Sequence, residues 1–358
     1  MSNQRVVVGM SGGVDSSVAA LLLKQQGYDV SGIFMNNWDG DDPGGDCPAA
    51  ADIQDAQRVC DHIGIELKSV NFSREYWDRV FSHFLKEHEV GRTPNPDILC
   101  NKEIKFKAFL QYVKLEGAEI LATGHYAKVD KHNGRYRLLK ATDTTKDQSY
   151  FLCQLGQNAL KNACFPLGDM EKVTVRQIAK KAGLITHNKK DSTGICFIGE
   201  RHFKAFLQQY LPQQPGPILS SEGDQLGEHD GLMYYTIGQR GGLGIGGRKG
   251  MSEQPWYVAQ KQLKENTLLV VQGADHPLLF KDKLLANDVH WIGEPPSDAH
   301  FNCTAKIRYR QNDQQCQVEC INQNQLRVTF SEPQRAITPG QSVVFYDGSE
   351  CLGSAIIL

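Results

Sequence analysis

The sequence predicts an α/β protein in which a Rossmann-like unit with a parallel sheet is followed by a small central unit and a C-terminal β-barrel. Three observations carry that expectation. Short β-rich runs at 5–10, 30–35 and 67–71 alternate with amphipathic helical runs at 18–26, 50–63 and 74–89, the pattern of parallel strands joined by crossover helices. A glycine-bearing turn at 11–16 lies between the first strand and the first helix, where such folds bind phosphate. Beyond Asp275-His276-Pro277, strand-like segments recur at 284–292, 301–310, 315–321, 326–330 and 342–346 with turns between them, as in a small barrel.

The remaining elements follow in order. A helix from Lys105 and the run Ile120-Leu121-Ala122-Thr123 extend the parallel unit, and Asn133-Gly134 turns a hairpin between 127–131 and 136–139 because both turn residues tolerate positive φ. The first unit is expected to end near Gly199. From Phe203 a short helix gives way to Pro212, Pro215, Gly216 and Pro217 and then to glycine-rich chain through Gly250, a linker with a small domain. The expected units are 1–200, 201–276 and 277–358. No repeat at solenoid periods and no low-complexity segment is present.

A length of 358 residues suits two or three packed units. The 40% hydrophobic and 22% charged content is that of a globular chain rather than a disordered one. There is no apolar run of about eighteen residues, and no charged leader precedes Val6-Val7-Val8, so neither a membrane span nor secretion is expected. A cytoplasmic location follows. The net charge of −2 excludes a basic coat but allows local basic faces. Lys172, Arg176, Lys180, Lys181, Lys189 and Lys190 form one acid-free run, and Lys306, Arg308 and Arg310 alternate on an expected strand, while Asp39, Asp41, Asp42 and Asp46 form an acidic counterweight. Solvated faces explain such runs as readily as nucleic acid does. Ten cysteines without a Cys-x-x-Cys pair point to redox chemistry or buried thiols before disulfides or zinc. Cys316 and Cys320 share one strand face as core filler, and no metal-ligand set is expected.

The strongest local signal is Ser11-Gly12-Gly13-Val14-Asp15-Ser16. Its glycines let amides point into the turn, the following helix adds partial positive charge, and the hydroxyls can donate to phosphate oxygens. Asp15 is a candidate to orient Mg²⁺, and the plain alternative is a helix cap in a tight turn. The loop is neither Gly-x-x-x-x-Gly-Lys-Ser/Thr nor Gly-x-Gly-x-x-Gly, which disfavours kinases and dehydrogenases. It resembles instead the loop of ATP pyrophosphatases, the adenine-nucleotide alpha-hydrolases that cleave ATP between its α and β phosphates. A second constellation pairs Asn95-Pro96-Asp97-Ile98-Leu99-Cys100-Asn101 with Asp191-Ser192-Thr193-Gly194-Ile195-Cys196-Phe197. Both cysteines sit in turn-like contexts, and spacing alone leaves open whether they are reactive or inert.

With these residues in hand the chain resembles the tRNA-specific 2-thiouridylases from end to end. Gly9-Met10 with the loop, Gly32-Ile33-Phe34-Met35, Asn95-Pro96-Asp97, Cys100-Asn101, Thr123-Gly124-His125-Tyr126-Ala127, Lys146-Asp147-Gln148-Ser149-Tyr150-Phe151, Gly194-Ile195-Cys196-Phe197 and Tyr235-Thr236-Ile237-Gly238-Gln239-Arg240 follow the family's motifs in the family's order. Gly241 departs from it, standing where the family pattern has lysine. The resemblance implies that Gly9, Met10, Ser11, Gly12, Gly13, Val14, Asp15, Ser16, Met35 and Gly124 hold ATP, Met35 near the adenine and Gly124 allowing close backbone approach. It implies that Asn95, Pro96 and Asp97 meet the target base, that Cys100 is the nucleophile and that Cys196 carries a persulfide. His125, Lys146, Asp147, Gln148, Arg308, Tyr309 and Gln341 correspond to positions contacting RNA.

The chemistry implied is replacement of the C2 oxygen of a wobble uridine, U34, by sulfur. An amide-like carbonyl loses oxygen badly, so adenylation with release of pyrophosphate supplies the leaving group, with Mg²⁺ and the loop stabilising charge. Persulfide sulfur on Cys196 then attacks C2 and Cys100 resolves the S–S bond, or Cys100 frees hydrosulfide first. Asp97 is the candidate general acid/base, with a turn-capping Asx after Pro96 as its alternative. A uridine in a single-stranded anticodon loop unstacks at low cost. Lys, Glu and Gln tRNAs and a cysteine desulfurase or small sulfur-relay protein are the implied partners. An amide-forming synthetase would need the same loop without paired cysteines, and a nucleotide-regulated RNA-binding module would release no pyrophosphate.

Overall fold

The computed structural model describes residues 4–38, 48–191, 203–246 and 254–358. Strands β1 (Arg5–Met10), β2 (Asp29–Asn36), β3 (Leu67–Asn71) and β4 (Ile120–Ala122) form a parallel sheet that a later two-residue strand completes. Helices α1 (Val14–Gln25) and α2 (Pro48–Ile63) connect the first three. Val6, Val7 and Val8 are all at most 1% exposed, because a strand sandwiched by helices on both faces has no wet side. Their side chains alternate: Val6 and Val8 pack with Val18 and Val59, whereas Val7 packs with Phe109 and Leu121 on the opposite face.

Two antiparallel strands, β5 (Ala127–His132) and β6 (Arg135–Lys140), follow β4. Asn133 and Gly134 sit at φ 49° and 82°, the paired left-handed residues that match a hairpin's twist. This hairpin leaves the parallel sheet altogether. Its second strand pairs with the last strand of the chain, Leu139 opposite Glu350 and Leu138 opposite Cys351. Strand β7 (Ala163–Cys164) then returns to the parallel sheet beside β4, giving the order β3-β2-β1-β4-β7.

The central piece is a four-stranded sheet of β8 (Gly216–Ser220), β9 (Gln225–His229), β10 (Trp256–Gln262) and β11 (Thr267–Gln272), ordered β10-β11-β8-β9. The C-terminal barrel comprises β12 (Phe280–Trp291), β13 (His300–Lys306), β14 (Gln314–Asn322), β15 (Gln325–Arg335), β16 (Ser342–Asp347) and β17 (Glu350–Ile357). Pairing of β12 with β17 closes the ring and removes its edges. Cys316 and Cys320 face the barrel core with Val318 between Phe330 and Leu326 as neighbours. Cys303 lies directly across from Cys316, sulfurs 3.7 Å apart.

One expected strand is shorter than the sequence suggests. Segment 301–310 stops pairing at Lys306, and Arg308, Tyr309 and Arg310 form a turn. The Gln311 side chain accepts from the Ile307 amide, the Gln311 amide returns to the Arg308 carbonyl, and Arg310 sits at φ 65°. The alternation of basic residues therefore ends with the strand.

Closure of the barrel rests on one glycine. Gly353, at φ 153°, lies opposite Trp291, and a Cβ there would stand 2.1 Å from the His290 carbonyl oxygen. The G353A protein is expected to lose about 2–4 kcal/mol of stability, read as a fall of several degrees in a thermal melt. A melt within a degree of wild type would mean that β17 does not make this approach.

Candidate active site

The turn after β1 folds as its residues require. Gly12 sits at φ 70°, and a Cβ there would lie 2.3 Å from the Asp52 carbonyl oxygen of α2, so only glycine allows both the turn and the helix packing. Inside the turn the Ser16 hydroxyl accepts from the Ser11 amide at 3.2 Å and donates to the Gly13 carbonyl, to which Ser17 also donates at 2.8 Å. Gly13 begins α1 with no side-chain cap. The first amides of that helix are thus left to an anion or to water. Gly124 closes the other side: its missing Cβ would meet the Asp15 carbonyl carbon and the Ser16 nitrogen at 2.7 Å. Met35 is buried near the C-terminal end of β2, the end where ligands sit in parallel sheets.

Asp15 points into a charge network. The Lys172 ammonium donates to both its oxygens at 2.7 Å, and the Tyr126 hydroxyl donates at 2.8 Å. Burial, then the Asp15 carboxylate, pushes the Tyr126 phenol far up, so it remains a donor. Lys172 also lies 2.9 Å from Asp191, which receives Lys146 at 2.7 Å and Arg176 at 2.8 Å. Burial would raise the Asp191 carboxyl, yet hydrogen bonds and charge from Lys146 and Lys172 hold it at about 2. In this structure Asp15 faces an ammonium. Both its oxygens are taken by that ammonium, and among the described residues no group of three His, Cys, Asp or Glu side chains could hold an ion.

Cys100 is on a helix, not in a turn. Helix α3 (Pro96–Cys100) runs on through 101–115. It starts nine residues before the expected Lys105 because Asn95 caps it, accepting from the Asp97 and Ile98 amides at 3.1 and 3.4 Å, and Pro96 occupies its first turn. The cap is therefore Asn95, and Asp97 stands in the first turn, where its charge suits the dipole. After Cys100 the turns widen over Asn101–Phe109 to i→i+5 bonding, a geometry frequent at functional sites. Cys100 itself is fully buried among Ile98, Ile104 and their neighbours. Cys196 lies outside the described residues.

The residues implied to contact RNA gather where the three sheets meet. Tyr309 packs its ring 4.4 Å from Phe151 and donates its hydroxyl to the Lys146 carbonyl at 3.5 Å. Arg308 donates to the Ala336 and Ile237 carbonyls, joining barrel and central sheet. Gln341 donates to the Thr93 carbonyl at 2.6 Å, two residues before Asn95. Asp147 is turned inward, accepting from the Ala141 and Ser149 amides and the Ser149 hydroxyl. The Gln148 side chain accepts from the Tyr126 amide. His125 is only 9% exposed between Phe106 and Phe165 and bonded to Thr123. Burial, helped by the Lys105 charge, holds its ring neutral.

Sequence reasoning did not single out Lys172, Tyr126 or Asp191 as site residues. Each was visible, Lys172 opening the basic run, Tyr126 inside the 123–127 motif and Asp191 opening the Cys196 motif, but nothing local says that they meet at Asp15.

A family model described as the tRNA methyl transferase HUP domain matches residues 4–200, and others described as a tRNA methyl transferase PRC-barrel domain and an aminomethyltransferase beta-barrel domain match 204–272 and 281–357. The chain is 61% identical to the tRNA-specific 2-thiouridylase MnmA of Francisella philomiragia and 59% identical to that of Francisella tularensis subsp. novicida, with 100% of both chains covered in each case. The U34-tRNA thiolase NcsA of Methanococcus maripaludis aligns with a TM-score of 0.36 at 21% identity over 55% of this chain and 63% of that one, which carries no argument. Identities of this size over the full length of both chains establish that the chain belongs to the MnmA family of tRNA-specific 2-thiouridylases.

Proposed function

We propose that the protein is a tRNA-uridine 2-sulfurtransferase that adenylates the C2 oxygen of U34 and replaces it with persulfide sulfur, giving 2-thiouridine, AMP and pyrophosphate. The observation that carries this reading is the 61% identity, over all of both chains, to an enzyme named for that activity. The uncapped start of α1, flanked by Gly12, Gly13 and Gly124, supports ATP binding by residues 9–16 with Met35 and Gly124. The substrate is MgATP. Units 1–200, 201–276 and 277–358 would serve catalysis, connection and tRNA binding.

The order of bonds follows from the chemistry. The C2 oxygen attacks the α-phosphorus and pyrophosphate leaves, its growing charge met by the amides of α1. The terminal sulfur of the Cys196 persulfide attacks C2 and expels AMP, leaving C2–S–S–Cys196. The Cys100 thiolate then attacks the Cys196 sulfur, the thiouridine sulfur departs, and the Cys100–Cys196 disulfide is returned to two thiols by a dithiol reductant. The alternative, in which Cys100 attacks the persulfide first and frees hydrosulfide, ends in the same disulfide. Asp97, at the start of the helix that ends in Cys100, is the proposed proton carrier, with Asn95 and Pro96 beside the base.

For the RNA we propose Lys146, Asp147, Gln148, Arg308, Tyr309, Gln341 and His125. The last is reached only when its aromatic cover moves. Lys, Glu and Gln tRNAs and a persulfide-carrying donor protein are the proposed partners. No helix among the described residues is long and apolar enough to cross a membrane, and the cytoplasm, where tRNA is, is the proposed location. The Y309A protein is expected to bind tRNA about tenfold more weakly through loss of aromatic stacking, with ATP affinity within about twofold, by filter binding. Equal tRNA affinity would remove Tyr309 from the set.

The test incubates the protein with MgATP, a persulfide-carrying sulfur donor, a dithiol reductant and unmodified tRNA and measures AMP, pyrophosphate and 2-thiouridine in the digested RNA. Thiolated RNA with stoichiometric AMP supports the reading. Nucleotide cleavage without thiolation under donor-replete conditions, or no cleavage, contradicts it.

A further inference from the structure

The nucleotide loop contains no cation. Residues 9–16 read Gly-Met-Ser-Gly-Gly-Val-Asp-Ser, and Asp15 adds a negative charge where a polyphosphate must arrive. The helix N-terminus offers only about half a positive charge, too little for a leaving pyrophosphate. Beyond the Mg²⁺ that MgATP brings, full positive charge has to come from elsewhere in the fold.

Lys172 is in that position. Its ammonium is 2.7 Å from both Asp15 oxygens, and the residue is only 8% exposed. It is also the first residue of helix α4 (Lys172–Lys181), the end where the macrodipole disfavours a cation. Burying an ammonium against its own helix dipole costs free energy unless other groups repay it, and here the Asp15 and Asp191 carboxylates, not the helix, hold it beside the loop.

The carboxylates it touches keep other donors when it moves. Asp191 keeps Lys146 at 2.7 Å and Arg176 at 2.8 Å whether or not Lys172 stays, and Asp15 keeps the Tyr126 hydroxyl at 2.8 Å. Three cations, Lys172, Lys146 and Arg176, thus face three carboxylates, Asp15, Asp191 and Asp143, the last accepting from the Lys172 amide at 2.9 Å, so the cluster is balanced before a polyphosphate arrives and Lys172 is its cation nearest the loop.

We propose that Lys172 is a polyphosphate ligand, whose ammonium moves from Asp15 to the β- and γ-phosphate oxygens of ATP and stays with the departing pyrophosphate. The inference rests on the reading of the chain as an ATP-cleaving enzyme, and it adds the cation that the loop lacks. Asp191 steadies the ammonium, which lies 2.9 Å away, so the lysine travels by a side-chain rotation and not by a shift of α4.

Affinities of the full-length K172M and wild-type proteins for ATP, inorganic pyrophosphate and AMP, measured without tRNA by competition against a fluorescent ATP analogue, test this. Loss of a charge-assisted contact predicts ATP and pyrophosphate weakened about tenfold or more, with AMP within about twofold. Unchanged affinities, or equal weakening of all three, would overturn the proposal, the second outcome marking a purely structural lysine. Should K172M not fold, K172R must show the same split, about threefold or more on ATP and pyrophosphate with AMP retained, and no split again overturns it. The thiolase reading is judged separately by the tRNA assay. A wild-type protein that shows the binding split but never thiolates RNA sinks that reading and leaves Lys172 in place, whereas a wild-type protein binding none of the three sinks both.

Discussion

Replacing Cys100 with serine is expected to abolish 2-thiouridine formation, by about a thousandfold or more, without unfolding the protein. The side chain is fully buried at the C-terminal end of α3, where serine fits the same volume. Leaving a hydroxyl there costs about 1–3 kcal/mol at worst. A serine hydroxyl cannot resolve the S–S bond of the intermediate, so turnover stops after sulfur attack. The informative readout is mass spectrometry of nucleosides after a single turnover, with AMP release followed in parallel. C100S activity above a tenth of wild type would remove Cys100 from the chemistry. Burial adds a second expectation: in the free protein Cys100 alkylates slowly, because a thiolate must reach reagent or substrate to react. Binding of tRNA is expected to accelerate alkylation of Cys100 severalfold, since the enzyme must open the core around this thiol to use it.

How far the sequence reached depended on whether the decisive contacts were local. The tight turn between β1 and α1 was legible because its glycines, hydroxyls and helix start are contiguous, and the Asn133-Gly134 hairpin because its turn chemistry is self-contained. Its partner strand was not: β6 pairs with β17, more than 200 residues away, and β17 itself, interrupted by Gly353 and small residues, shows little strand pattern until β12 and β16 flank it. Strands β10 and β11 were hidden in the same way behind a glycine-rich prelude. Asn95-Pro96 reads equally as a turn or as a helix start, and only the two accepted amides decide for the helix. At the site, Asp15 and Lys172 are 157 positions apart, so no spacing rule could join them. Family resemblance named Gly124, with close backbone approach as its reason, and Tyr309, yet the partners they meet, the backbone of Asp15 and Ser16 and the ring of Phe151, exist only in three dimensions.

Of these, Gly124 carries the second large effect. A G124A substitution is expected to raise the KM for ATP by about tenfold to a hundredfold and a valine there to remove measurable ATP binding. The new Cβ would lie 2.7 Å from the Asp15 carbonyl carbon and the Ser16 nitrogen and 2.8 Å from the Asp15 Cβ. Those atoms belong chiefly to the backbone of α1 and cannot swing aside. Relief requires the start of α1 and the turn after β4 to separate by several tenths of an ångström, and both are fixed by the sheet, in which β1 pairs with β4 from Val6 opposite Ile120 to Val8 opposite Ala122. The same movement would drag Asp15 from Lys172 and Tyr126 and tilt the uncapped amides of α1 away from the proposed phosphate position. Misplacement on the scale of an ångström costs a reacting geometry about a hundredfold. Affinity for tRNA, for which the proposed contacts lie around Tyr309 and Gln341, should change by less than about threefold, and this split distinguishes a local effect from general destabilisation. Steady-state kinetics in ATP, filter binding of tRNA and a thermal melt on the same preparation decide the matter: an unaltered KM for ATP would show that Gly124 does not press on the phosphate loop.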